Sequence, residues 1–237
     1  MQAYHFLVAN GIAFSIGSLT NNKKDNDDLV KMVTKSSDFV TDKEGFASGI
    51  AFTKNSMGDE AGSITKIANK LFLAAKQSSA EPGAFGAAAA GLGAIGSSIG
   101  ATDEYIAASL AFASSEDEVS LAATEIRSLM KIMAKEQIPG KGLEGKFNTL
   151  LKQGYTPQNI NKLTDRVEAQ EGFTSMYSHK SSIDVLASDL QMENLRAGGK
   201  ESAINKAINR RNQDPELVAA RKLRVNKVVA ENLTRDT

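Results

Sequence analysis

From Asp27 onward, apolar residues recur at every third or fourth position, the spacing that lines one face of an α-helix. Leu29, Met32 and Val33 begin the pattern, and Ile64, Ala68, Leu71 and Ala75 continue it behind the acidic pair Asp59 and Glu60. Acidic side chains at a helix start oppose the positive end of the helix dipole. Thr102 or Asp103 is placed to cap a helix through Tyr105, Ile106, Leu110 and Phe112. That helix is apolar almost all round, which predicts a buried or lipid-facing position. Ser115-Glu116-Asp117-Glu118 reads as a capping box, hydroxyl and carboxylate satisfying each other's orphan amides. Val119, Ala122, Ile126, Leu129 and Met133 then draw one apolar seam down a helix that Pro139-Gly140 ends.

Past Pro139, Leu143, Phe147 and Leu150 predict a short helix stopped by Gly154, and Thr156-Pro157 predicts the start of another carrying Ile160, Leu163 and Val167. Tyr177 to Arg196 contains Ile183, Leu186 and Leu190 before Gly198-Gly199 breaks the pattern. Asp214-Pro215-Glu216 launches a last helix with Val218, Val225, Val229 and Leu233 on one side and Arg221 and Arg224 on the other. A loose division near Pro139 separates residues 1–138, a helical core with two uncharged apolar segments, from 139–237, a helical region with a basic tail; a single domain is the alternative.

The first uncharged segment, residues 3–19, centres on Asn10-Gly11, a strong short hairpin signal because both residues tolerate positive φ. A hairpin would pair Val8 with Ala13, whereas a helix would align Leu7, Gly11, Phe14 and Ser18; both readings stay open. No Lys or Arg precedes this run and Lys23 and Lys24 follow it, the reverse of a Sec signal, so it is expected to be retained.

The second segment, residues 82–102, reads PGAFGAAAAGLGAIGSSIGAT. At ~1.5 Å per residue it is long enough to cross a ~30 Å hydrocarbon core as a helix, but Phe85, Leu92, Ile95 and Ile99 are its sole large apolar side chains. Gly96 and Gly100 form G-x-x-x-G, and Ala87 with Gly91 and Ala89 with Gly93 repeat the spacing, giving a flat face on which two helix backbones can approach. Each glycine costs a helix ~1 kcal/mol relative to Ala, so the segment suits tight packing, or membrane contact in one state, better than a permanent span.

Composition narrows the function. Twenty-eight basic and 28 acidic residues cancel, which removes the argument for non-specific nucleic-acid binding. From Arg196 to the end there are ten basic and five acidic residues, but no interleaved aromatic for base stacking, so no sequence-specific nucleic-acid contact is expected. The absence of Cys excludes disulfides, thiolate zinc sites and Cys nucleophiles. Gly91-Leu92-Gly93-Ala94-Ile95-Gly96 matches the dinucleotide fingerprint in letters, but four alanines precede it where a strand is required. Asp25-Asn26-Asp27-Asp28 lacks the glycine and distal Glu of an EF-hand loop. His5 and His179 lie far apart, and no G-x-S-x-G elbow is present.

The expected fold is therefore mainly α, a multi-helix bundle with a small N-terminal β-hairpin as one of two readings of residues 3–19. No catalytic, cofactor or metal residues are assigned, and no small-molecule substrate is evident. The expected function is that of a non-enzymatic structural or assembly protein, homo-oligomeric, whose segment 82–102 packs tightly or contacts membrane in one state. Virion-internal or ejection proteins and secreted translocator or pore components share this compositional character. A soluble helical effector or adaptor that binds another protein is the alternative. The expected interaction residues are Gly91, Gly93, Gly96 and Gly100, the seam residues Val119, Ile126, Leu129 and Met133, and the basic pair Arg221 and Arg224.

Overall fold

The computed structural model describes residues 20, 23–114, 118–196, 199 and 201–215. Among them the chain forms ten α-helices and no strand. They are α1 (Lys23–Ser36), α2 (Lys43–Met57), α3 (Ile64–Ser78), α4 (Pro82–Ser98), α5 (Asp103–Ala113), α6 (Val119–Lys135), α7 (Gly142–Lys152), α8 (Val167–Ser178), α9 (Lys180–Arg196) and α10 (Ala203–Asn212). The protein is thus a mainly α, multi-helix fold. The 3–19 segment, the capping-box residues Ser115 to Asp117 and the last basic helix with Arg221 and Arg224 lie outside the described residues.

The helix that is apolar almost all round, α5, sits at the centre. Tyr105 to Ala111 and Ala113 are all buried, and α3, α4, α6, α7, α8 and α9 all touch this helix. Thr102 caps it, its Oγ1 accepting a hydrogen bond from the Tyr105 amide at 3.3 Å. One contiguous apolar core runs from Leu29 on α1 to Ile204 on α10, with residues from both sides of Pro139.

The most extensive helix contact is that of α2 with α4, and glycine makes it. Gly45 and Gly49 on α2 face Gly83 and Gly86 on α4. A Cβ on Gly49 would lie 2.5 Å from the Gly86 Cα, so the two backbones meet where any side chain would hold them apart. Glu81 secures the same end of the pair. As N-cap of α4 it accepts from the Ala84 amide at 2.9 Å, and its other oxygen accepts from the Thr41 and Asp42 amides at 2.7 and 3.3 Å ahead of α2.

Three boundaries differ from the expectation. The helix expected from Thr156-Pro157 is a single 3-10 turn, Ile160–Lys162, and α8 begins at Val167. The Asn159 side chain is the reason: Oδ1 accepts from the Thr156 amide at 2.7 Å and Nδ2 donates to the Gly154 carbonyl at 3.0 Å, competing locally with a helical ladder. The run expected from Tyr177 to Arg196 is broken at His179, which ends α8 before α9 starts. At the start of α6, Glu118 is the N-cap without a side-chain cap bond.

Glycine contacts differ in how they would tolerate a methyl group. At Gly49 the obstacle is backbone, whereas at Gly96 it is the tip of Ile106. Gly49→Ala is expected to destabilise the protein by about 1–3 kcal/mol net of the ~1 kcal/mol helix-propensity gain, and Gly96→Ala to be close to neutral. Urea denaturation of both variants checks the order.

Candidate functional site

A groove of about 740 Å³ runs between the N-terminal half of α4 and the N-terminal half of α6. Its floor and walls are small: Ala84, Ala87 and Ala88 from α4, and Val119, Ser120 and Ala123 from α6. The turn joining α3 to α4 closes one side with Ser79, whose left-handed φ of 61° redirects the chain after α3. Arg127, two turns along α6 from Val119, also lines the groove. Its guanidinium lies over Gly91, where a Cβ would collide with Nη2, so the glycine makes room for the cation. Among the described residues no carboxylate pairs with Arg127, and its buried Nε has no hydrogen-bond acceptor. The volume falls within the range of small-molecule pockets, ~300–1,000 Å³.

A second polar feature is buried in the core. Lys70 on α3 is 1% exposed, donates to the Ala61 carbonyl at 3.1 Å and to Glu104 Oε1 at 2.9 Å, and forms an ion pair with Asp103. Asn194 on α9 donates to the same Glu104 oxygen at 2.9 Å. One cation is thus shared by two adjacent carboxyls in the first turn of α5. Burial pushes the Asp103 carboxyl up to about 7, against the attraction of Lys70 and with the help of Glu104. Burial also raises Glu104, but Lys70 and the hydrogen bonds from Asp103 and Lys70 outweigh it, and its net shift is downward. Burial and the negative charge of Asp184 hold the Tyr105 phenol above its ordinary range. Tyr105 donates to Asp184 at 3.3 Å, and Lys180 pairs with the same carboxylate.

This cluster joins helices; it has no room for a substrate. The cavity beside Lys70 and Asp103 is about 10 Å³, room for about one water. Among the described residues no group of His, Asp and Glu is placed to hold a metal ion. His179 engages the Ser175 carbonyl through Nδ1 at 3.1 Å and stacks on Phe112 with ring centroids 5.6 Å apart.

The expected interaction residues are found mostly inside the molecule. Ile126, Leu129 and Met133 are fully buried, and Val119 is half-buried at the groove. Gly91 underlies Arg127, Gly93 packs against Phe52 of α2, and Gly96 meets Ile106 and Met130. Gly100 takes a left-handed turn, φ 69°, between α4 and α5. The Gly-x-Gly-x-x-Gly letters, residues 91–96, fall in the second half of α4 with no strand before them. Two features were legible but unread: the single Arg on the α6 face next to the seam, and a second apolar line on α9, Val185, Met192 and Leu195. The three α9 residues are exposed. Comparison of the chain with protein-family models, curated proteins and solved structures returns no match.

The buried cluster fixes a pH dependence. An acid whose folded pKa stands above its ordinary 3.8 keeps its proton longer in the folded chain. The folded state then binds more protons between roughly pH 4 and 7, so the Asp103 contribution weakens the fold as pH rises through that window. Asp103→Asn, neutral throughout, is expected to gain melting temperature relative to the parent between pH 5 and pH 8. An unchanged difference would contradict the assignment. Lys70→Met, which leaves two carboxyls without their cation, is expected to lose about 3–5 kcal/mol of unfolding free energy at pH 8.

Proposed function

We propose that this chain is a non-enzymatic structural or assembly protein that acts as a homo-oligomer, using the outer side of α9 as a contact surface. One observation carries the reading. Ile183, Leu186 and Leu190 bury the inner side of α9, while Val185, Met192 and Leu195 stand exposed on the opposite side, at 64%, 45% and 79%. A helix apolar on both sides is expected to have neighbours on both. Val167 and Tyr177 on α8, which touches α9, add further exposed apolar surface. Exposed apolar residues aligned along one side of a helix, as on α9, mark interaction sites more often than singly scattered ones.

Within this reading, segment 82–102 serves tight packing. Its glycines are taken up by contacts with α2, α5 and α6, and membrane contact would require α4 to leave its place between α2 and α6. Among the described residues no helix is long and apolar enough to cross a membrane. The same α9 surface equally serves the alternative, an adaptor that binds a different protein.

Light-scattering mass of the parent and of Val185→Glu/Leu195→Glu separates these. The parent is expected to be a stable oligomer and the double variant a monomer with unchanged helix content. A monomeric parent at all concentrations overturns self-association and leaves the adaptor reading. Flotation with anionic and neutral liposomes is expected to leave the oligomer unbound, and binding with dye release would instead support a state in which α4 meets the bilayer.

A further inference from the structure

The groove between α4 and α6 has a polarity along its length. At the end over Gly91 stands Arg127, a permanent cation with no carboxylate partner among the described residues. At the other end, where α4 and α6 begin, stand two acids, Glu81 and Glu118. Both Glu81 oxygens are already engaged by backbone amides, those of Thr41, Asp42 and Ala84. Between the ends the walls are alanine and Val119. From Val119 to Arg127 is about 12 Å along α6.

The charges decide which ligands fit. Among the described residues a polyphosphate or nucleotide would meet one cation and two carboxylates, a poor balance for several negative charges. A neutral apolar ligand would leave the guanidinium as unpaired as before. A single carboxylate on a short apolar body satisfies both ends: its charge meets Arg127 through the fork geometry that guanidinium offers carboxylates, and its body lies along the alanines. The groove also has the small walls such a body needs, because the α4 helix residues lining it are alanines and Gly91 leaves space for the Arg127 guanidinium.

We propose that the α4–α6 groove binds a small amphipathic monocarboxylate, with Arg127 holding the carboxylate and Ala84, Ala87, Ala88 and Ala123 contacting the apolar body. The site is separate from the outer side of α9, so it stands or falls independently of self-association.

Octanoate and its neutral amide, octanamide, are the probes, titrated by calorimetry into the full chain. Octanoate is expected to saturate one site per chain, and octanamide to bind at least about tenfold more weakly, the worth of one charge-assisted pair. Arg127→Met is expected to weaken octanoate by about tenfold or more without changing octanamide. Ala87→Leu, at an exposed groove position, is expected to abolish binding of both while the melting temperature stays that of the parent. No saturable octanoate binding to the parent, or equal binding to parent and Arg127→Met, overturns the proposal. Should Arg127→Met melt early, Ala87→Leu decides alone: octanoate binding that survives it overturns the site.

Discussion

The close approach of α2 and α4 is the constraint on which the remaining architecture depends. Four glycines, Gly45 and Gly49 against Gly83 and Gly86, let two helix backbones touch over their first turns. Gly93 and Gly96 farther along α4 accept Phe52, Ile106 and Met130. A helix with so few large side chains contributes little transfer free energy of its own. Its stabilisation comes from dispersion contacts between closely fitted backbones and from the larger residues that its neighbours press onto it. The thinness of α4 allows α5, with almost every residue buried, to have helices on all sides.

Polar side chains then fix which helix ends meet. Glu81 holds the start of α4 to the segment before α2. Lys70, Asp103, Glu104 and Asn194 tie α3, α5 and α9 at one point. Ser202 makes no side-chain cap at the start of α10; Glu193 on α9 accepts from the Ala203 amide at 2.6 Å and Asn69 on α3 accepts from the Ile204 amide at 2.9 Å. At the far end of α10, Arg211 pairs with Asp38 at 2.8 Å and lies over Phe39. The buried ones among these, Lys70, Asn69 and Glu193, add little net stability when satisfied but are strongly destabilising when one partner is removed, so they select one arrangement of helices over its rivals.

Much of this was legible in sequence because it is local. Periodicity placed α3, α5, α6 and α7, and Thr102 and Gly154 marked two of their ends, since each signal is contained within a few residues. The break at Asn159 was hidden because a side chain, in competition with the backbone, ended a pattern that periodicity alone would continue. Gly/Ala content announced close packing, but not with which helix; Gly45 and Gly49 became meaningful only once α2 lay across α4. Ile126, Leu129 and Met133 have the same spacing whether a seam faces another subunit or its own core, so pattern could not separate those fates. The groove is assembled from α4 and α6 together, and no stretch of sequence contains it.

An inward-facing glycine line on α4, an outward-facing apolar line on α9 and a groove whose Arg127 has no carboxylate partner among the described residues are the features that support the proposed contact role. The central claim is that α4 stays permanently docked on α2, held by backbone fit. Amide hydrogen exchange read peptide by peptide tests it most directly. The account predicts that residues 83–96 exchange as slowly as α5, at the rate of global unfolding. Fast exchange across 83–96 while α5 and α6 stay protected would contradict it, because it would show that α4 opens on its own.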